Sequence, residues 1–178
     1  MLSANWTYDL PFGKGKEFTT GNPILNAVIG PWSLNGIFTV RSGEPFTVNV
    51  AGDLIANVGG NSERPNIVGP AFPSSRTPQT YLNTSSFEIP AQYTFGNLGR
   101  NAFRLGGASN WDLSVFRDFP LPLTEATRLQ FRAEFFNAFN HPVLGGCLDT
   151  TVQDANFGTA NCTRNTEREI QFALKLYF

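Results

Sequence analysis

Arg128-Leu129-Gln130-Phe131-Arg132-Ala133-Glu134-Phe135 alternates, residue by residue, between charged or amide side chains and apolar ones. Successive side chains of an extended strand point to opposite faces. Leu129, Phe131, Ala133, Phe135 and, further on, Phe139 therefore share one side, and Arg128, Gln130, Arg132 and Glu134 the other. A helix of period 3.6 would scatter the same residues around its circumference. The stretch reads as a strand with one oily and one charged face, and other segments of the chain repeat it.

At the C-terminus Ile170, Phe172, Leu174, Leu176 and Phe178 alternate with Glu169, Gln171, Ala173, Lys175 and Tyr177. At the N-terminus Leu2, Ala4, Trp6, Tyr8 and Leu10 oppose Ser3, Asn5, Thr7 and Asp9. Trp32, Leu34, Gly36, Phe38 and Val40 oppose Ser33, Asn35, Thr39 and Arg41, and Phe46 to Val50 are expected to continue that strand after a break at Ser42-Gly43-Glu44-Pro45. Trp111, Leu113 and Val115 oppose Asp112, Ser114 and Phe116. Pro11 to Lys16 and Phe119 to Glu125 are turns by composition. Asn22 to Gly30 suits one or two helical turns, with Asn as cap, Pro23 at the first helical position and Gly at the end. Two stretches, 51–109 and 140–166, lose the pattern and read as long loops, which at such length are uncommon unless functional.

Composition narrows the function. Charged residues make up 15% of 178, against roughly 25% in an average domain. A net charge of -1 gives no basic face to neutralise phosphates, so no nucleic-acid partner is expected. No apolar run approaches the length of a membrane-spanning helix. Met1 to Leu10 enters the alternation directly, without a basic segment and apolar core, so no signal peptide is read there. The sequence is either cytosolic or begins inside a longer protein, and the strand pattern favours the second.

Strands of about 10 residues suit a tilted crossing of a bilayer. Connections are short after the first and third strands and long after the second and fourth, as in outer-membrane barrels with short periplasmic turns and long outer loops. Trp6, Tyr8, Trp32, Trp111, Tyr177 and Phe178 lie near strand ends, where membrane-boundary aromatics are expected. The alternation alone also fits a secreted, soluble β-sandwich binding carbohydrate or protein through its long loops. The fold class expected is all-β: an antiparallel up-and-down meander of about five long strands, an open part of a transmembrane barrel.

Five stretches carry a resemblance. They are Trp32-Ser33-Leu34-Asn35-Gly36-Ile37 with Ser42 to Phe46; Phe95-Gly96-Asn97-Leu98-Gly99-Arg100-Asn101; Asn110-Trp111-Asp112-Leu113-Ser114; Phe131 to Pro142; and Arg168 to Phe178. In this order they resemble the C-terminal part of TonB-dependent outer-membrane receptors of the Oar-like group. The resemblance implies a plugged barrel of about 22 strands in the Gram-negative outer membrane, engaged in transport rather than catalysis. It implies as partners outer-membrane lipid, an N-terminal plug and further barrel strands outside this sequence, TonB through the plug region, and the barrel assembly machinery through the last strand. Phe172, Leu174, Leu176 and Phe178 would form that strand's insertion signal.

Candidate chemistry is sparse. Asp112, Arg128, Arg132, Glu134 and Lys175 are expected on a lumen-facing polar wall. His141, the one histidine, has no partner at ligand spacing and reads as a turn residue. Asp149, Asp154 and Asn156 match no calcium-loop spacing. No nucleophile elbow and no phosphate-binding glycine loop occurs, so no enzyme activity, metal or cofactor is expected. Cys147 and Cys162 stand 15 apart. A disulfide between them suits an oxidising envelope and would restrict the unfolded loop by on the order of 3 kcal/mol; free thiols are the alternative.

Overall fold

A computed structural model of the chain describes residues 1–13, 16–19, 22, 25, 28–52, 63–122 and 127–178. Five long strands form one sheet in the order β1 (Leu2–Asp9), β2 (Ser33–Arg41), β7 (Ala108–Pro120), β8 (Arg128–Phe136) and β11 (Glu169–Tyr177). Neighbours in space are neighbours along the chain among these five, so the sheet is a meander. It is all-β and open, with β1 and β11 at its edges.

Register follows the alternation. Leu2, Ala4, Trp6 and Tyr8 oppose Val40, Phe38, Gly36 and Leu34. Val115 and Phe119 oppose Ala133 and Leu129, and Phe131 and Leu129 in turn oppose Leu174 and Leu176. A slip of one residue would exchange every apolar side chain for a polar one, so the period-2 pattern excludes odd slips. Rings cross the apolar side: Phe38 against Trp111 with centroids 4.5 Å apart, Trp32 edge-on to Phe131 at 6.1 Å, Phe131 stacked with Phe172 at 6.3 Å. Gly36 serves the same packing, because the Trp6 indole occupies the space that a Cβ at this position would need.

The sandwich expectation fails here. On the apolar side Phe172 and Leu174 remain 68% and 67% exposed, so no second layer of the described residues presses on them.

The chain divides into two compact units. The sheet unit comprises Met1–Arg41, Ser109–His141 and Thr166–Phe178; the other comprises Ser42–Ala108 and Pro142–Asn165. The second unit is built from the two stretches read as loops, and it corrects that reading. Phe46 to Val50 do not extend β2. Instead β3 (Pro45–Phe46) pairs with β6 (Phe103–Arg104), β4 (Asn66–Ile67) with β5 (Phe87–Glu88), and β9 (Leu144–Leu148) with β10 (Ala160–Thr163).

Val48, Tyr81, Leu82, Phe87, Leu98, Phe157 and Ala160 are buried together as this unit's own core. Phe87 meets Phe103 and Phe157 edge-on at 5.9 and 5.5 Å, and Phe72 meets Phe103 at 5.7 Å. The two stretches are also joined through backbone. Tyr81 and Leu82 N–H donate to the Gly158 carbonyl, Ala160 N–H to that of Pro78 and Asn49 N–H to that of Thr150. The core is non-local, so it leaves no period in the sequence.

Smaller differences have local causes. The third long strand starts at Ala108 and runs to Pro120, longer than the alternation at Trp111–Phe116 marks. Phe139 lies beyond β8, which ends at Phe136 because Asn137 and Asn140 turn the chain at φ 46° and 50°. Leu25, Val28 and Ile29 are helical, and Leu25 N–H donates to Asn22 Oδ1 at 3.3 Å as an N-cap bond; the expected Pro23 position lies outside the described residues. So do Lys14 and Gly15, and the part of the second turn at 123–126, which a Leu121 N–H to Thr127 carbonyl bond of 3.0 Å closes.

Candidate functional site

Strand parity divides the sheet's side chains before any contact is considered. On the polar side the cross-strand rows run Ser114–Glu134–Gln171, Phe116–Arg132–Ala173, Asp118–Gln130–Lys175 and Pro120–Arg128–Tyr177. Of the residues expected on a polar wall, Asp112, Arg132 and Glu134 meet around one hollow of about 220 Å³, with Asn35, Ile37 and Ser114. Arg132 Nη1 lies 3.4 Å from Glu134 Oε1, both side chains about three-quarters buried. Asp112 is fixed as an acceptor: Asn110 Nδ2 donates to its Oδ1 at 2.8 Å and Asn137 N–H at 2.9 Å.

Arg128 stands further along the strand. Its Nε lies 3.8 Å from Asp118 Oδ2, and its guanidinium covers the Tyr177 ring at 4.4 Å. Asp118 also accepts from Gln130 Nε2 at 2.9 Å. Sequence reasoning missed Asp118, though its parity with Asp112 and Ser114 was available. Lys175 is exposed opposite Gln130. Asn35 Oδ1 and Arg132 Nε are buried without a protein hydrogen bond. A face with this much paired and unpaired polarity is suited to water or to another polar surface, since isolated buried polar groups are costly.

The opposite side carries a charge at Arg117, which parity places between Val115 and Phe119. Sequence reading passed over it, although a charge on an apolar row is itself a signal. Phe172, Leu174 and Leu176 project from this side of β11, and Phe178 follows that strand 95% exposed.

The remaining candidates are structural. Asn137 Oδ1 accepts from His141 N–H at 3.1 Å, and Asn137 Nδ2 donates to the Thr166 carbonyl at 2.9 Å, so His141 sits in the corner after β8. Asp149 Oδ1 accepts from Thr151 N–H at 3.0 Å in a local turn. Among the described residues no group of three His, Cys, Asp or Glu gathers to hold a metal.

Cys147 and Cys162 are joined by a disulfide across β9 and β10, with Cα atoms 5.5 Å apart. Thiol titration of the denatured, unreduced protein is expected to find no reactive sulfur, and two after reduction. Two thiols before reduction would remove the bond.

Comparison with known proteins adds one positive finding. A family model described as an outer membrane beta barrel domain matches residues 1–171. Neither the curated proteins nor the solved structures yield a match.

Proposed function

The chain belongs to the outer membrane β-barrel domain family, and on that premise we propose that it forms part of the wall of a TonB-dependent, Oar-like receptor in the Gram-negative outer membrane. The observation that carries the reading is the contrast between the sheet's two sides. One leaves Phe172 and Leu174 uncovered; the other carries the Arg132–Glu134 pair and its hollow. A barrel in lipid needs this arrangement, apolar outside and polar within.

In this reading the polar side faces the lumen. There Asn35 Oδ1 and Arg132 Nε find partners in water or in a plug. The open edges at β1 and β11 are completed by further strands, because unpaired strand edges are not tolerated in hydrocarbon. The last strand, with Phe172, Leu174, Leu176 and Phe178, is read by the barrel assembly machinery. Substrate is met by the stretches 51–109 and 140–166, and TonB acts through the plug. The chain transports and does not catalyse.

Two measurements test this. The DNA directly upstream of Met1 is expected to continue the open frame into a plug and additional strands. The protein is expected in the detergent-extracted outer-membrane fraction of the cell. An in-frame stop immediately upstream, with no partner chain supplying a plug, would overturn the receptor reading. Recovery as a folded, monomeric protein without detergent would overturn the wall itself.

A further inference from the structure

Arg117 places a permanent charge on the side of the sheet that lipid covers. Opposite it in β8 is Phe131. Its guanidinium lies 4.5 Å from the centroid of Phe119 and 5.7 Å from that of Trp32, and Nη1 donates to the Val28 carbonyl at 3.2 Å. The Trp32 indole N–H donates to the same oxygen at 3.1 Å. Two donors from the apolar side thus hold Val28, in the chain between β1 and β2, against the outside of the wall.

That connection exposes apolar side chains of its own. Val28 is 63% exposed, Phe18 54%, Leu25 46% and Phe12 40%. Phe12 and Phe18 pack on each other at 5.6 Å, joined by a backbone bridge. The connection is folded back on itself at Gly13, where φ is +106° and a Cβ would come within 2.7 Å of Gly30 Cα. Lys16 lies 4.0 Å from Asp9 at its margin. Exposed apolar side chains with a lysine and a Trp nearby match the chemistry of segments that lie in a bilayer's interfacial layer.

We propose that Phe12, Phe18, Leu25 and Val28, between β1 and β2, form an interfacial foot that enters the headgroup–acyl boundary of the phospholipid leaflet at the end of the sheet where β7 turns into β8. The occupant follows from continuity. Arg117 and Trp32 fix Val28 beside the apolar side that carries Phe119 and Phe131, so a bilayer covering that side reaches the foot. At this depth the Arg117 guanidinium is met by a backbone carbonyl and two ring faces. The inference rests on the apolar side being the lipid side.

The test uses the full protein, extracted from outer membranes and reconstituted in phosphatidylethanolamine–phosphatidylglycerol vesicles. A bimane probe is placed at Val28→Cys and Leu25→Cys, both exposed positions, and at Leu174→Cys in the wall. Nitroxide lipids labelled near the headgroup are expected to quench the Val28 and Leu25 probes by about half or more, and more strongly than lipids labelled deep in the chain, as an interfacial depth requires. Quenching at Leu174 with none at Val28 and Leu25 would overturn the foot and leave the wall standing. No quenching at any of the three would overturn both. Stronger quenching of Val28 by the deep label would overturn the interfacial placement.

Discussion

Leu174→Arg is expected to destabilise the membrane-inserted protein by about 2–4 kcal/mol, the cost of a basic side chain at the lipid face near the bilayer midplane. Leu174 lies toward the middle of β11, opposite Phe131, and is 67% exposed. That exposure gives the substitution its power. On a water-facing surface, replacing so exposed a leucine changes stability by less than about 0.5 kcal/mol. In hydrocarbon the same arginine loses its hydration. Denaturant unfolding from lipid vesicles, followed by tryptophan emission, measures the difference. Lys175→Leu, one residue along and on the other side, serves as the control for a general disturbance of the strand. A Leu174→Arg variant as stable as the parent would show that this side meets water.

Phe87→Ala is expected to cost about 3–5 kcal/mol, the usual penalty for emptying a buried aromatic site. The ring is 6% exposed and lies edge-on to both Phe103 and Phe157. Phe87 thus links the stretch before β7 with the stretch after β8, alongside the backbone bonds of Tyr81, Leu82 and Ala160. The loss should be confined to Ser42–Ala108 and Pro142–Asn165, which form their own compact unit. Proteolysis within those segments should accelerate by several orders of magnitude if cleavage follows local opening. The sheet's backbone amides should keep their protection from hydrogen exchange. Unchanged proteolysis would mean that the aromatic cluster does not hold the unit together.

The two predictions probe parts of the chain that differed in legibility. Leu174 was visible in the sequence because a strand repeats its environment every second residue. Phe87 was not. Its neighbours Phe157 and Phe103 come from distant parts of the chain, and Ser86 before it ends a single short 3-10 turn. Prolines and glycines break this region into pieces two residues long in β3, β4, β5 and β6, too short for any period to register. The polar wall was half legible. Parity placed Asp112, Arg132 and Glu134 on one side, but their meeting with Asn35 around a hollow depends on β2 lying beside β7.

Local alternation by itself determined the five strands and their polar and apolar sides, because successive side chains of a pleated backbone point to opposite faces. Tertiary structure alone decided that Pro45 to Phe103 and Leu144 to Thr163 fold into a body with its own core, and that Arg117 on the apolar side reaches the carbonyl of Val28. Both outcomes depend on groups far apart in sequence approaching within a few ångströms, and no short-range pattern encodes such distances.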